Sequence, residues 1–372
     1  MATANLPFLY IGTYTDPAMR GKAEGIYIYR MHPSSGALTH VRTIAGVVNP
    51  SFLAIDPSRR SLYACNETEM HEGQPGGGVS AFALDAATGD LTPRNTQPAH
   101  GTFPAHLTVD PRGTYVLVAN YGSGNVAVYP IGPGGDLGAM SDLVQNRGAG
   151  PNTARQEGPH AHMITFDRSG RYALLVDLGI DQTLVYRLDT TTGKLNAHNV
   201  VTDSGATEQS CGQAAPGAGP RHIAFHPTNR YAYVINELGS TIDVFAWDAT
   251  RGTLARLQTI ATLPAGFTGK STTAEILVHP SGRFVYGSNR GHDSIAMFAV
   301  DETSGQLTAL GHAPTQGKDP RSITLDPAGV YLLAANQNSD TVITFRIDQT
   351  TGRLTATGGI APIPTPVCLL FG

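Results

Sequence analysis

The chain has 372 residues, with 43 Gly, 25 Pro and only 15% charged side chains, a composition that suits many short strands and tight turns. The net charge of −4 and the lack of a basic tract argue against a nucleic-acid partner. Three scattered cysteines predict a reducing compartment and no metal cluster. The N-terminus lacks a secretory leader pattern, and no apolar run approaches the roughly 20 residues of a membrane span. We therefore expect a cytoplasmic protein that does not associate with a membrane.

The N-terminal segment, residues 8–46, contains only three strand-like runs. Six longer units follow, and their first strands open at intervals of 54, 55, 61, 54, 46 and 46 residues. The opening positions, ending with that of the C-terminal strand, are Pro50, Pro104, Pro159, Pro220, Ala274, Pro320 and Pro366. Each interval contains four short strand-like runs. The interval length is close to that of a propeller blade.

Turn residues punctuate every unit in the same way. In the unit that opens at Pro220, a His226-Pro227 turn separates the first two strands, and Gly252 marks the hairpin between the last two. Glycines recur at the same hairpin in the other units, and we interpret them as left-handed positions with a structural duty. His226 and His279 replace Asp in the first turn and are expected not to be catalytic.

The two chain ends complement each other. Residues 366–371 match a first strand, which is the strand that the N-terminal segment lacks. The sequence therefore predicts an all-β fold, a single seven-bladed β-propeller spanning residues 1–372 with four antiparallel strands per blade. The C-terminal strand completes the N-terminal blade, so that no strand edge is left open.

Strand direction brings two non-repeating columns to one mouth of the central channel. The column after the opening residue is Ser51, Ala105, His160, Arg221, Glu275, Arg321 and Val367. The column after the second strand is Thr13, Glu67, Tyr121, Leu178, Glu237, Arg290 and Gln337. Between them, an Asn recurs at the end of most second strands, which favours turn hydrogen bonding. Two long connections, residues 142–158 and 202–219, are expected to form a rim around this mouth.

Five strings in the sequence carry a resemblance. They are Tyr10-Ile11-Gly12-Thr13-Tyr14-Thr15, Gly158-Pro159-His160-Ala161-His162, Gly219-Pro220-Arg221-His222, Asn236-Glu237-Leu238 and Ser288-Asn289-Arg290. Together they resemble the seven-bladed β-propeller lactonase family, which includes the propeller-type 6-phosphogluconolactonases and the fungal carboxy-cis,cis-muconate lactonizing enzyme. The resemblance implies ester chemistry on a lactone without a cofactor or a required metal. It assigns catalysis to His160, Arg221, Glu237 and Arg290. The second histidine, His162, departs from the usual bacterial pattern.

Lactone hydrolysis needs a base for water, stabilisation of an oxyanion and recognition of an anionic substrate. Glu237 between arginines is a weak base, so His160 is the preferred base or acid, while Arg221 and Arg290 would hold an oxyanion or carboxylate. Arg321 is a candidate for a phosphate or a second carboxylate. The remaining candidates for substrate binding are His162, Glu275, His222, Asn289 and Gln337.

Structural interpretations of these residues compete with the catalytic ones. Glu237 and Arg290 could form only an ion pair between blades, and Glu275 could pair with Arg321. The leading hypothesis is hydrolysis of 6-phosphogluconolactone. The alternatives are a lactonase acting on another lactone, a cycloisomerase of a carboxymuconate-type diacid and a non-enzymatic interaction propeller. A metal-dependent lactonase would use Glu67, Asn120, Asp177 and Glu275 as ligands, although the neighbouring arginines oppose a cation.

Overall fold

The two ends of the chain pair with each other and close a ring of blades. A computed structural model describes residues 6–71, 73–201 and 207–372. In blade 1, the C-terminal strand Pro366–Phe371 lies antiparallel to Phe8–Thr13, with Leu9 opposite Phe371 and Ile11 opposite Leu369. The outer strands of this blade are Gly25–Met31 and Leu38–Ala45. The predicted closure is confirmed.

Blades 2 to 7 follow in chain order, and each contains a four-stranded antiparallel meander. First strands of neighbouring blades contact one another all around the ring, which places them at the central channel. Listed from the channel outward, the strands are Pro50–Ile55, Ser61–Asn66, Gly78–Leu84 and Leu91–Pro98 in blade 2; Pro104–Val109, Tyr115–Asn120, Asn125–Pro130 and Asp142–Gln145 in blade 3; Ala161–Phe166, Ala173–Asp177, Gln182–Asp189 and Lys194–Ala197 in blade 4; Pro220–Phe225, Tyr231–Asn236, Thr241–Asp248 and Thr253–Ala261 in blade 5; Thr272–Val278, Phe284–Arg290, Ser294–Val300 and Leu307–Pro314 in blade 6; and Pro320–Leu325, Tyr331–Asn336, Thr341–Ile347 and Leu354–Pro362 in blade 7.

A few short elements lie outside this pattern. Two small hairpins pair Met70–His71 with Gln74–Pro75 and Asn199–Val201 with Thr207–Gln209, and two 3₁₀ turns span Pro17–Met19 and Gln337–Ser339.

The two long connections behave differently from each other. Cys211–Gln213 pairs with the third strand of blade 4, so this part of the second connection extends the blade's outer edge instead of forming a rim. Residues 202–206 of that expected rim lie outside the described residues. In the first connection, Asp142–Gln145 is already the fourth strand of blade 3, and residues 146–158 alone continue toward the mouth.

Apolar side chains are buried between blades. Seven hydrophobic clusters occur among the described residues, and each joins two adjacent blades. The cluster between blades 5 and 6, for example, packs Tyr233 and Val244 against Val285 and Phe298. Every blade buries both of its faces in this way, so its strands are largely apolar. The ring is held together by a continuous series of interfaces between neighbouring blades.

The turns perform the structural duties predicted for them. The hairpin glycines have φ between 68° and 76°, and in blade 5 a Cβ at Gly252 would lie 2.4 Å from Tyr172 of blade 4. In the first turn of blade 3, the Asp110 carboxylate accepts a 2.6 Å hydrogen bond from the Tyr115 N–H. His226 and His279 occupy the same place and bind the Gly282 and Gly329 carbonyls at 3.0 and 2.8 Å, so both are structural.

The closing strand makes a testable contribution to stability. Leu369 is 6% exposed and packs in the cluster between blades 7 and 1, whereas Leu257 on an outer strand is 39% exposed. We expect Leu369→Ala to lower the free energy of unfolding by about 2–5 kcal/mol, since it leaves a cavity in the core. The control Leu257→Ala should lower it by less than about 1 kcal/mol. Urea unfolding measures both, and equal effects would contradict the importance of the closing strand.

Candidate active site at the mouth of the channel

A backbone irregularity recurs at the start of every first strand. In all seven blades the pairing between the first and second strands shifts register next to the opening residue. In blade 5, Pro220 lies opposite Asn236 and His222 opposite Ile235, which leaves Arg221 without a partner. Such a β-bulge turns the extra side chain away from the regular alternation. It is the feature that directs side chains toward the channel mouth.

This pairing corrects the columns taken from the sequence. In blade 4, Ala161 lies opposite Asp177 and Met163 opposite Val176, so His162 and not His160 occupies the position of Arg221. In blade 6 the shift lies between Thr273 and Ile276, opposite Asn289 and Gly287. Glu275 therefore aligns with His222. The proline alignment misplaced both residues because strand pairing, and not the proline, sets the register.

A cavity of about 260 Å³ opens at this mouth. Its lining residues come from six of the seven blades and from the connection between blades 3 and 4: Glu67, Ala105, Tyr121, Arg155, His162, Glu237, Thr272, Arg290 and Arg321. Four of the predicted site residues, His162, Glu237, Arg290 and Arg321, are therefore brought together. Arg221 is buried and contacts Glu237 without lining the cavity.

The Glu237 carboxylate is held by three guanidinium groups. Its Oε1 lies 2.7 Å from Arg155 Nη2, and its Oε2 lies 2.9 Å from Arg290 Nη2 and 3.2 Å from Arg221 Nε. Burial alone would raise the pKa of Glu237, but the charges of Arg290, Arg221 and Arg155 lower it to about 2. Glu237 is thus an ionised anchor for arginines, and its pairing with Arg290 is one contact of a larger cluster.

Arg221 is fixed by backbone and by histidine. Its Nη1 donates to the Ala274 carbonyl at 2.7 Å and to His222 Nε2 at 3.3 Å. Burial, with added repulsion from Arg290 and Arg321, lowers the pKa of Arg221 to about 9. The guanidinium therefore remains charged near neutral pH and carries an incompletely balanced positive charge.

His222 and Glu275 form a second layer behind Arg221. Arginine can only donate, so His222 Nε2 accepts, and Nδ1 carries the proton that faces Glu275 Oε1 at 2.7 Å. Burial lowers the pKa of His222 well below 6.5 and raises the pKa of Glu275 to about 7. The alternative in which Glu275 pairs with Arg321 is wrong, because Glu275 pairs with His222.

The two histidines of the Pro-His-Ala-His string have different environments. His160 stacks on Tyr121, its Nδ1 lies 2.9 Å from the Tyr121 carbonyl, and its Nε2 lies 3.1 Å from Glu157 Oε1. His162 lines the cavity, and neither ring nitrogen has a hydrogen-bond partner among the described residues. Burial and then the Arg221 charge lower its pKa well below 6.5, so its imidazole is neutral. The structure therefore brings His162, and not His160, to the arginines.

Arg321 is the least engaged cation of the cavity. Its Nη2 lies 3.8 Å from Glu67 Oε1, and its guanidinium lies 5.4 Å from the ring centre of Tyr14. The other carboxylate oxygen of Glu67 accepts a 2.9 Å hydrogen bond from the Tyr14 hydroxyl. Within the described residues no side chain or carbonyl occupies the Arg321 donors, so they are available to an anion.

One predicted binding residue, Asn289, serves the scaffold, and another, Gln337, does not line the cavity. Asn289 Nδ2 donates to the Thr262 carbonyl at 2.8 Å, as Asn336 does to Thr315 at 3.1 Å, which fits the expected turn role of this column. Gln337 follows the second strand of blade 7, but it is not among the residues that line the cavity.

The ligands of the metal-dependent alternative do not converge. Asp177 accepts from Asn146 at 2.6 Å and from the His160 N–H at 2.7 Å, while Asn120 donates to the Ala99 carbonyl. In the described parts of the chain, no group of three or more His, Cys, Asp or Glu side chains is arranged to hold a metal ion.

Comparison with known proteins agrees with this architecture. The family described as "Lactonase, 7-bladed beta-propeller" matches residues 8–371. The chain belongs to this lactonase family. It is 39% identical over 312 residues to a 6-phosphogluconolactonase of Bacillus subtilis (strain 168), covering 84% of this chain and 83% of that one. The resemblance of its sequence strings is confirmed, and the protein is a lactonase enzyme.

Solved structures of similar proteins superpose over the whole lactonase. A putative 6-phosphogluconolactonase from Bacteroides fragilis gives a TM-score of 0.89 at 33% identity, covering 100% of this chain and 99% of that one. A periplasmic gluconolactonase from Pseudomonas aeruginosa gives a TM-score of 0.88 at 31% identity, with 99% of each chain covered. In the lactonase itself, no described helix is long and apolar enough to cross a bilayer.

Sequence reasoning missed one arginine of the lactonase site. Arg155 lies in the connection expected to form a rim, but nothing in its neighbouring sequence links it to Glu237, which is 82 positions away. Tyr121 appeared in the correct column without an assigned role, and Glu67 appeared there only as a ligand of the metal-dependent alternative, yet both line the cavity. The contact between Arg155 and Glu237 becomes visible only from the path that residues 146–158 take in the folded structure.

The buried histidines predict how the stability of the lactonase depends on pH. His106, His162 and His222 have pKa values well below 6.5, mainly because of burial, so acid protonates them only in the unfolded chain. Glu275 acts in the opposite direction, since its raised pKa lets the folded protein keep a proton that the unfolded chain loses above its ordinary value of 4.5. The net difference is about two protons, so stability should fall by roughly 3 kcal/mol per pH unit below pH 6.

Urea unfolding between pH 7 and pH 5 measures this slope. His106→Gln should reduce the slope by about one proton, or roughly 1.4 kcal/mol per pH unit. His32→Gln, at an exposed position, is the control and should leave the slope unchanged. An unchanged slope in His106→Gln would contradict the assignment of neutral buried histidines.

Proposed function

We propose that this lactonase hydrolyses 6-phosphogluconolactone to 6-phosphogluconate. The observation that supports it is the charge of the mouth: four guanidinium groups, those of Arg155, Arg221, Arg290 and Arg321, surround two carboxylates beside a neutral histidine. A phosphate monoester with about two negative charges would balance this excess. The cavity of about 260 Å³ is smaller than most ligand pockets, which suits one sugar-sized molecule.

In this proposal Arg321 binds the phosphate. Its donors are unoccupied among the described residues, and Glu67 at 3.8 Å only partly compensates its charge. A phosphate there would receive forked, charge-assisted hydrogen bonds, which are stronger than those between neutral groups. The lactone ring would then extend from Arg321 toward Glu237 and its arginines.

His162 is proposed as the general base. Its neutral imidazole would accept a proton from water as the water oxygen bonds to the lactone carbonyl carbon. Arg290, with Arg221 behind it, would stabilise the resulting oxyanion. When the bond from the carbonyl carbon to the ring oxygen breaks, His162 would return the proton to that oxygen. The product acid then loses its proton to solvent. Glu237 holds Arg221 and Arg290 in place throughout.

A substitution pair tests the choice of base. His162→Ala should lower kcat for freshly prepared 6-phosphogluconolactone by roughly 10²–10⁴-fold, because general base catalysis is typically worth that much. His160→Ala, which loses the contacts with Tyr121 and Glu157, should lower kcat by less than about 10-fold. Initial rates with spontaneous hydrolysis subtracted provide the measurement. A larger loss in His160→Ala would return the catalytic role to that residue.

A substrate comparison with a chelator tests the function itself. The wild type should hydrolyse the phosphorylated lactone with a kcat/KM at least roughly 100-fold above that for gluconolactone, since one anion-binding site is otherwise left empty. Chelation should not change either rate, because no metal takes part in the proposed reaction. Preferential hydrolysis of gluconolactone would instead favour the activity named for the Pseudomonas neighbour. Loss of activity with the chelator would overturn the metal-free mechanism.

A further inference from the structure

Arg155 is the least enclosed of the three arginines on Glu237. Its side chain is 39% exposed, compared with 4% for Arg221 and 15% for Arg290. Arg221 lies in a first strand and Arg290 ends a second strand, whereas Arg155 lies in the connection between blades 3 and 4. The three contacts with one carboxylate therefore differ in how easily they can open.

The hydrogen bonds of the three guanidinium groups also differ. Arg221 and Arg290 each donate to a backbone carbonyl, that of Ala274 and that of Thr273, both at 2.7 Å. Among the described residues, the Arg155 guanidinium donates only to side chains, to Glu237 at 2.7 Å and to the Tyr121 hydroxyl at 3.2 Å. No backbone contact of the guanidinium would be lost if the Arg155 side chain turned.

The backbone beneath Arg155 is held firmly. The next residue, Gln156, is fully buried, and its Nε2 donates to the Leu178 carbonyl at 2.9 Å and to Asp181 Oδ1 at 2.8 Å. The Arg155 N–H itself donates to the Asn152 carbonyl at 2.9 Å. A change at Arg155 therefore requires rotation of one long side chain and no movement of the connection.

The Glu237 oxygen that Arg155 covers has no other partner in the described part of the chain. Its Oε1 pairs there with Arg155 alone, while Oε2 pairs with both Arg221 and Arg290. Turning Arg155 away would leave the carboxylate anchored through Oε2 and would free one oxygen in a residue that lines the cavity. That oxygen could then accept a hydrogen bond from a substrate hydroxyl or from the attacking water.

We propose that Arg155 is a displaceable clamp and a specificity-determining residue: the anionic group of the substrate draws its guanidinium away from Glu237 Oε1. The proposal rests on the proposed function and deepens it. A phosphate dianion bound at Arg321, which lines the same cavity as Arg155, offers Arg155 more negative charge and more acceptor oxygens than the single Glu237 oxygen that it gives up. A neutral lactone offers neither, so the clamp stays closed on the oxygen that would otherwise accept a hydrogen bond from the substrate or the attacking water. Selectivity for a phosphorylated lactone then follows from the exchange of one ion pair for another.

The test compares two substrates in three variants. In Arg155→Gln, kcat/KM for 6-phosphogluconolactone should fall roughly 10- to 100-fold, because one charge-assisted hydrogen bond to the phosphate is lost. For gluconolactone it should rise roughly two- to tenfold, because Glu237 Oε1 is already free. Arg155→Lys should partly restore the preference, since the charge is kept. Arg147→Gln, an exposed arginine in the same connection, is the matched control and should change neither rate.

Opposite changes for the two substrates support the clamp. Equal losses on both would mean that Arg155 only maintains the site, and no change on either would also overturn the proposal. If the wild type does not hydrolyse 6-phosphogluconolactone above background, the proposed function fails, and calorimetric binding of 6-phosphogluconate then tests the clamp by itself. Binding weakened in Arg155→Gln and not in Arg147→Gln would support it, whereas equal binding by both would overturn it.

Discussion

A single buried carboxylate organises the mouth of this propeller. Glu237 contacts guanidinium groups from two blades and from an inter-blade connection, at distances between 2.7 and 3.2 Å. Like charges a few ångströms apart repel by several kcal/mol in a partly buried site, so these arginines need a shared anion to remain together. The lowered pKa of Arg221, about 9, shows that Glu237 only partly offsets burial and repulsion. The unbalanced charge is what makes the cavity suited to an anionic ligand.

In this propeller the residues with structural roles recur from blade to blade, whereas the residues that carry the chemistry vary. Three structural features recur around the ring: left-handed hairpin glycines, turns that begin with Asp or His, and the Asn at the end of the second strand. The Asp, His and Asn side chains hydrogen-bond to backbone groups. The bulge at the start of each first strand also recurs, but the side chain that it presents is different in most blades. Arg221, Arg321 and His162 occupy this bulge, while Ala105 and Val367 occupy it elsewhere. A repeated backbone irregularity thus supplies a site without weakening the sheets that hold it.

Behind the lining, a layer of neutral groups fixes the charged ones. His222 accepts from Arg221 in a tautomer set by Glu275, and its ring packs against that of His106 at 5.6 Å and that of the cavity-lining His162 at 5.1 Å between centroids. Since burial keeps these three rings uncharged, they do not add to the positive charge of the mouth. The partly exposed contact of Arg155 and the buried contact of Arg221 meet at the same carboxylate.

The sequence by itself determined the fold and identified four of the nine residues that line the cavity. Strand alternation, turn residues and the unpaired N-terminal segment predicted seven blades and their closure, because these signals are local and repeat with each blade. The order of the strands then placed Arg221, Glu237, Arg290 and Arg321 at one mouth. Only the tertiary structure decided that His162 and not His160 enters the cavity, since strand pairing in blade 4 places the bulge two residues later than the proline alignment does. It also decided the partner of Glu275 and brought Arg155 to Glu237, because contacts between distant segments depend on the path of the backbone through space and leave no periodic signal in the chain.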